Sequence, residues 1–381
     1  MVDEYQDLGV PLHRMVMSLC FRAGVRLFAV GDADQSIYGF TGAKPELLRQ
    51  LSERKDVMAV TLPFNYRSAP EIVAAAEAAL GEQRGYSATT DKKGIVDIHY
   101  FENGLEEQAN AIIEELIPAA LERDKKRKLG DVAVIYTDLY DGNLVSGFAA
   151  EAGLEFVRID SGAPIPATPL IRWLQDCAAW CAGGWKRAQP KLRGLIGSWF
   201  RFNPSVDLAT DLRLIQGGVV RYLFTNRDPD TPLKTWLEGF AKEVLRPAFD
   251  REGTLREEEK HVTTLAGLTD KGKELENATI ATFSGKGGSP NHLNLITLHS
   301  AKGLEYDVVF LLGMDQGRLP SWRDNSAEKI AEARRRFYVG VTRAKREVHL
   351  TYSGFTTNQN GYRFDNGPSP FLVELQKRID S

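Results

Sequence analysis

Gly31-Asp32-Ala33-Asp34-Gln35-Ser36-Ile37-Tyr38-Gly39-Phe40-Thr41-Gly42-Ala43 follows the apolar run Val25-Arg26-Leu27-Phe28-Ala29-Val30. The run predicts a buried strand, and the Gly and Asp residues behind it predict a turn at the strand's carboxyl end. In open α/β sheets that edge is where ligands bind. Gln35 offers an uncharged amide to a phosphate oxygen or an attacking water, while Tyr38 and Phe40 offer flat faces for stacking on a base. Such a turn is common on protein surfaces, and its weight comes from the rest of the chain.

Four further blocks accompany it: Val2-Asp3-Glu4-Tyr5-Gln6-Asp7, Asn65-Tyr66-Arg67-Ser68, Thr297-Leu298-His299-Ser300-Ala301-Lys302-Gly303-Leu304-Glu305 and Arg334-Arg335-Arg336-Phe337-Tyr338-Val339-Gly340-Val341-Thr342-Arg343-Ala344-Lys345. In this order and wording the five blocks resemble the motifs of UvrD/Rep-type superfamily 1 DNA helicases, from the DExx box to the final arginine motif. The resemblance implies an α/β fold, with a RecA-like parallel-sheet domain, part of a first RecA-like domain and an all-helical insertion. It implies ATP and Mg2+ as cofactors, and hydrolysis coupled to 3′→5′ movement on single-stranded DNA and to unwinding at junctions with duplex.

By the same resemblance Asp3 holds Mg2+ and Glu4 polarises the attacking water. Arg67 and Arg343 reach the γ-phosphate, where a guanidinium fork matches phosphate oxygens. Tyr66 stacks on adenine and Glu305 accepts a hydrogen bond from the ribose. Tyr38 and Phe40 form the base platform, and Thr297, His299 and Lys302 contact the DNA backbone or couple it to the nucleotide. Taken singly, Asp3 and Glu4 read as a solvated acidic end and His299 as a satisfied core histidine. Thr41 stands where the family usually has Arg; Arg334, Arg335 and Arg336 either offset that loss or brace the motif through salt bridges.

With 381 residues, 43% apolar and 26% charged, the chain is long enough for two or three globular domains. No apolar stretch is long enough to span a bilayer and no cleavable signal is visible, so a cytoplasmic location without a membrane partner is expected. A formal net charge of −3 places any DNA contact in local patches. Cys177 and Cys181 sit in an apolar helical pattern, which favours buried free thiols over a metal site.

No G-x-x-x-x-G-K-[ST] phosphate loop occurs in the sequence, although that loop cradles ATP phosphates in this class. Only Val2 separates Met1 from the acidic pair, so the chain is expected to begin inside the first RecA-like domain, with the P-loop domain in the same gene product or on a partner chain. The expected divisions are 1–68, a remnant of the first RecA-like domain with a second strand at Val57–Leu62; 69–167, the first part of the second RecA-like domain; 168–286, a helical arm; and 287–381, the second part. Gly287-Gly288-Ser289-Pro290-Asn291 is a candidate hinge. In the arm, Trp185-Lys186-Arg187 and Lys191-Leu192-Arg193 read either as a duplex contact or, preferably, as the outer face of an amphipathic helix.

The function expected is that of the C-terminal portion of a helicase, inactive alone for lack of a P-loop. The alternatives are half of a split helicase completed by a partner chain, and a non-catalytic DNA-binding or interaction module.

Overall fold

A computed structural model describes residues 1–381 apart from 160–164, 167, 188–189, 205–208, 274, 285–290, 359 and 380–381, with the backbone alone at 187, 209–215 and 254. The candidate hinge lies outside the described residues except for Asn291, as do the expected limits at 167 and 286. The chain divides into two compact units, one of residues 1–125, 132–148 and 296–381, the other of residues 126–131 and 149–295.

The strands that matter are β1 (Ile95–Tyr100), β2 (Val132–Tyr136), β3 (Phe156–Arg158), β4 (Leu293–Thr297), β5 (Tyr306–Leu311) and β6 (Ala344–Tyr352). They form a six-stranded parallel sheet in the order β1-β6-β5-β2-β4-β3. β2 is buried at every position, as a parallel strand covered on both faces must be, and its unbroken Val-Ala-Val-Ile-Tyr composition follows from that.

In the first unit, the helix Ala327–Thr342 starts at Ser326, whose hydroxyl accepts from the Lys329 N–H at 3.3 Å. It buries Ala333, Phe337 and Val341, one face at four-residue spacing, and its C-terminal end is buried on other sides too, at Tyr338, Val339 and Gly340. Gly340 permits its close approach, because a Cβ there would meet Leu298 at 2.9 Å and Leu311 at 3.0 Å. The Ala-rich helix Pro70–Leu80 packs beside it and against the helix Pro370–Ile379.

The first 62 residues differ from expectation. Helices Val10–Phe21 and Glu46–Ser52 form, and Tyr5, Val16 and Leu51 make a small core. Val25–Val30 and Val57–Leu62, expected as strands, are not strands. Val25, Phe28 and Val30 are 54%, 65% and 41% exposed, and Met58, Val60 and Leu62 more so. Ala29 makes one isolated bridge to Val2, and Val57–Leu62 has no sheet neighbour among the described residues. The β preference of such runs is realised only against a neighbouring strand.

The second unit carries β3, paired with Leu293–Leu295 of β4, and a helical body. Helices Pro169–Ala179, Leu192–Phe202, Ala209–Thr225 and Leu233–Phe240 surround Trp173, Trp199, Tyr222, Trp236 and Phe240. Cys177 and Cys181 are buried free thiols; burial pushes both up, Cys181 to about 12. Leu195, Ile196 and Trp199 face inward while Arg193 is exposed, the amphipathic arrangement preferred above. Two helices, Leu105–Arg123 and Leu233–Phe249, carry a π-turn just before Pro118 and Pro247, where the missing N–H disturbs the regular ladder.

Candidate nucleotide and DNA site

All the site residues expected from the sequence fall in the first unit. Asp32 caps the short turn Ala33–Gln35. Its Oδ1 accepts from the Asp34 N–H at 2.9 Å and its Oδ2 from Gln35 Nε2 at 2.7 Å. That bond fixes the Gln35 amide, because a carboxylate only accepts, and leaves Oε1 to accept from Arg343 Nη2 at 3.3 Å. Burial pushes the Asp32 carboxyl up against the hydrogen bonds from Gln35 and Asp34.

The acidic block is tied to the same turn through Gln6. This fully buried side chain accepts from the Asp32 N–H at 2.9 Å and donates to the Glu4 carboxylate. Gly31 makes room, since a Cβ there would run into the Gln6 side chain. Among the described residues Glu4 is the non-glycine with positive φ, at 51°. Such a conformation costs on the order of 1–3 kcal/mol and persists only where its surroundings hold it. The Asp3 carboxylate accepts from the Glu4 N–H at 3.0 Å, and both acidic residues are exposed. They are hard oxygen donors of the kind Mg2+ takes.

Arg343 follows the last turn of the helix Ala327–Thr342, where a cation complements the helix dipole. Its guanidinium donates to the Val339 and Leu304 carbonyls, both at 3.0 Å, to Thr342 Oγ1 at 3.0 Å and to Gln35 Oε1. It is 2% exposed. Burial, then the like charge of Arg67, brings its pKa down to about 10, so it stays charged at neutral pH. Every acceptor is neutral, and among the described residues Arg343 forms no ion pair.

Arg67 and Lys345, by contrast, share Glu305, at 2.6 and 2.9 Å. Asn65 Oδ1 holds the backbone here by accepting from the Arg67 and Ser68 N–H groups. Glu305 and Arg343 immediately precede β5 and β6, at the amino ends of those strands, not at the carboxyl edge. Tyr66 is 80% exposed.

Among the residues expected to meet DNA, Tyr38, Phe40 and His299 form one aromatic group, with Phe40 edge-on to Tyr38 at 5.9 Å and to His299 at 5.8 Å. Tyr38 Oη donates to the His299 carbonyl at 3.2 Å. Phe40 is 74% exposed. Burial and Arg336 lower the His299 pKa. Thr297 Oγ1 and Ser300 Oγ are 3.0 Å apart, closing the turn after β4. Lys302 points inward: its ammonium lies 2.6 Å from Asp7 and 5.1 Å over the Tyr38 ring, with the side chain 8% exposed.

The three arginines are engaged within the first unit. Arg334 pairs with Glu374, Arg335 donates to the Ser36 carbonyl at 2.6 Å, and Arg336 pairs with Asp324. Two participants were not singled out from sequence, Asp32 and Lys345. Their signals are the Asp-x-x-Gln spacing of a capped turn and a second cation two residues after Arg343.

Burial pushes Glu305 upward, but the Lys345 hydrogen bond and the charges of Arg67, Lys345 and Arg343 outweigh it and hold its carboxyl below the ordinary 4.5. A group depressed on folding contributes stability above its unfolded pKa and loses it as pH falls through the folded one. The melting temperatures of the native chain and Glu305→Gln should therefore differ at pH 7 and converge below about pH 4. A constant gap from pH 7 to 3 would contradict this ion-pair account.

The UvrD/REP helicase N-terminal domain matches residues 1–56 and the UvrD-like helicase C-terminal domain matches residues 251–354. The ATP-dependent DNA helicase UvrD2 of Mycobacterium tuberculosis is 28% identical over 409 residues, covering 100% of this chain and 51% of the relative. The ATP-dependent DNA helicase Rep of Escherichia coli is 26% identical over 434 residues, covering 98% and 63%. The ATP-dependent DNA helicase PcrA of Leuconostoc citreum is 27% identical over 441 residues, covering 99% and 57%. The chain thus spans between half and two thirds of the length of these relatives. Two separate family domains and relatives aligned along nearly the whole chain agree with the five motif blocks and support a UvrD/Rep-type superfamily 1 helicase.

Proposed function

We propose that this chain supplies the phosphate-sensing and DNA-moving parts of an ATP-dependent 3′→5′ DNA helicase acting on single strands and their junctions with duplex. The observation that carries the reading is Arg343, a buried charged guanidinium whose hydrogen bonds all go to neutral acceptors. A buried cation without a carboxylate is costly, and an arriving γ-phosphate would supply the missing anion. Gln35, locked by Asp32, lies beside it with an amide that can orient a water or a phosphate oxygen. Arg67 adds a second guanidinium, and Glu305, between Arg67 and Lys345, accepts from the ribose hydroxyl. Tyr66 presents an open face to adenine.

Asp3 would hold Mg2+, which neutralises phosphate charge when bound, and Glu4 would polarise the attacking water. Coupling to DNA runs through Lys302, held by Asp7 and seated over Tyr38, so a change at the acidic block reaches the Tyr38, Phe40 and His299 group. Stacking of bases on Phe40 tolerates any sequence, as a translocating motor requires. The three relatives compared above, all named as ATP-dependent DNA helicases, support the same reading.

The 381 residues contain no phosphate loop, so the chain alone is expected to be silent in ATPase assays with or without single-stranded DNA. Turnover should appear when a separately made P-loop domain of a related helicase is added. In the same experiment Phe40→Ala should weaken single-strand binding by about 1–3 kcal/mol. DNA-stimulated turnover by the chain alone would overturn the requirement for a P-loop partner. DNA binding without turnover on addition of that domain would make the chain a binding module.

A further inference from the structure

Away from the nucleotide residues, β1 and β6 run side by side with Asp97 registered opposite His349 and Ile95 opposite Glu347. Side chains two apart share a face of a strand, so Asp97, His99, Glu347 and His349 lie on one face of the sheet. His99 Nε2 is 3.1 Å from His349 Nδ1, and His349 Nδ1 is 3.6 Å from Asp97 Oδ2. The three candidate donor atoms all lie within 4.8 Å of one another.

We propose that Asp97, His99 and His349 form a binding site for a zinc-class divalent ion that clamps β1 to β6. Donors about 2.0–2.2 Å from a tetrahedral Zn2+ stand roughly 3.3–3.6 Å apart, which the two shorter separations bracket. Two imidazoles and one carboxylate suit Zn2+ and its first-row neighbours over Mg2+ or Ca2+.

The surroundings orient the ligands. His349 is 1% exposed, and its ring is stacked on Phe310 from β5 at 4.8 Å and on His99 from β1 at 5.3 Å. Its other nitrogen, Nε2, lies 3.4 Å from Glu347 Oε2. With Nδ1 on a metal, Nε2 carries the proton and donates to that carboxylate, the arrangement that fixes the tautomer of many metal-bound histidines. Arg123 pairs with Glu347 at 2.6 Å and also lies 3.3 Å from His349 Nε2. Without metal it can donate to that nitrogen, leaving the Nδ1 proton facing Asp97 and His99. Loading therefore exchanges one tautomer for the other, with Arg123 kept neutralised by Glu347 throughout.

The test is titration of Zn2+ into the tag-free, chelator-stripped full chain, followed by calorimetry and by the melting temperature, with Co2+ absorption reporting coordination geometry. One equivalent should bind and raise the melting temperature. His99→Gln and Asp97→Asn, both on the more exposed side, should weaken binding at least tenfold while circular dichroism stays native. His349→Gln should abolish it. No binding at micromolar Zn2+, or binding unchanged in His99→Gln and Asp97→Asn, would overturn the site.

Discussion

Arg343→Ala is expected to cut ATP turnover by about 10³- to 10⁵-fold in the assembly reconstituted with a P-loop domain, the range over which arginine fingers act. That corresponds to roughly 4–7 kcal/mol of transition-state stabilisation. The effect on folding should be far smaller, because two changes oppose each other. The variant loses hydrogen bonds to Val339, Leu304, Thr342 and Gln35, and it no longer buries a cation that lacks a direct carboxylate. Single-turnover kinetics alongside urea unfolding separates the two. Arg343→Lys should recover little, since one ammonium cannot satisfy four acceptors spread around a planar fork. Turnover within tenfold of the native assembly would remove Arg343 from the mechanism.

Trp173→Ala is expected to destabilise the helical unit by about 3–5 kcal/mol, the usual cost of removing a buried Trp side chain. Trp173 stacks on Trp199 with ring centroids 4.6 Å apart and planes 9° apart, and meets Phe240 edge-on at 5.7 Å. Its Nε1–H donates to the Leu195 carbonyl at 2.9 Å, a hydrogen bond the variant loses. Against a domain stability of about 5–15 kcal/mol this is a large fraction, so amide exchange across residues 169–283 should accelerate while the first unit stays protected. Trp173→Phe should cost less, since the aromatic contact survives and only the hydrogen bond is lost. Equal costs for the two variants would place the energy in the Leu195 hydrogen bond and not in the packing.

Much of this protein was legible in one dimension. The unbroken apolar run at Val132–Tyr136 specifies a buried parallel strand, because only residues covered on both faces can be apolar at every position, and Leu293–Leu298, apolar except for Asn294 and Thr297, specifies another. The Ala-rich segment behind Pro70 specifies a helix, and the five motif blocks carry the resemblance to UvrD/Rep-type helicases. Short or weakly patterned elements were not legible. Phe156–Arg158 has three residues, and Leu139–Glu151 contains two glycines; each becomes ordered through neighbours far away in sequence. The runs at Val25 and Val57 show the converse, since a strand's hydrogen bonds belong to its partner and a run without one stays open however apolar it is.

The sequence by itself determined the resemblance to UvrD/Rep-type helicases, the residue types expected at phosphate and DNA, and the absence of a phosphate loop from these 381 residues. Only the tertiary structure decided which groups meet: Lys302 with Asp7 and Tyr38, Glu305 with both Arg67 and Lys345, Arg343 with Gln35, and His349 with His99 and Asp97. Spacing along the chain sets which face a side chain takes, whereas charge pairing, burial and hydrogen-bond partners depend on residues brought together across as many as 308 positions. For Arg343 that difference separates an ordinary surface arginine from a buried cation whose hydrogen bonds all end on neutral groups.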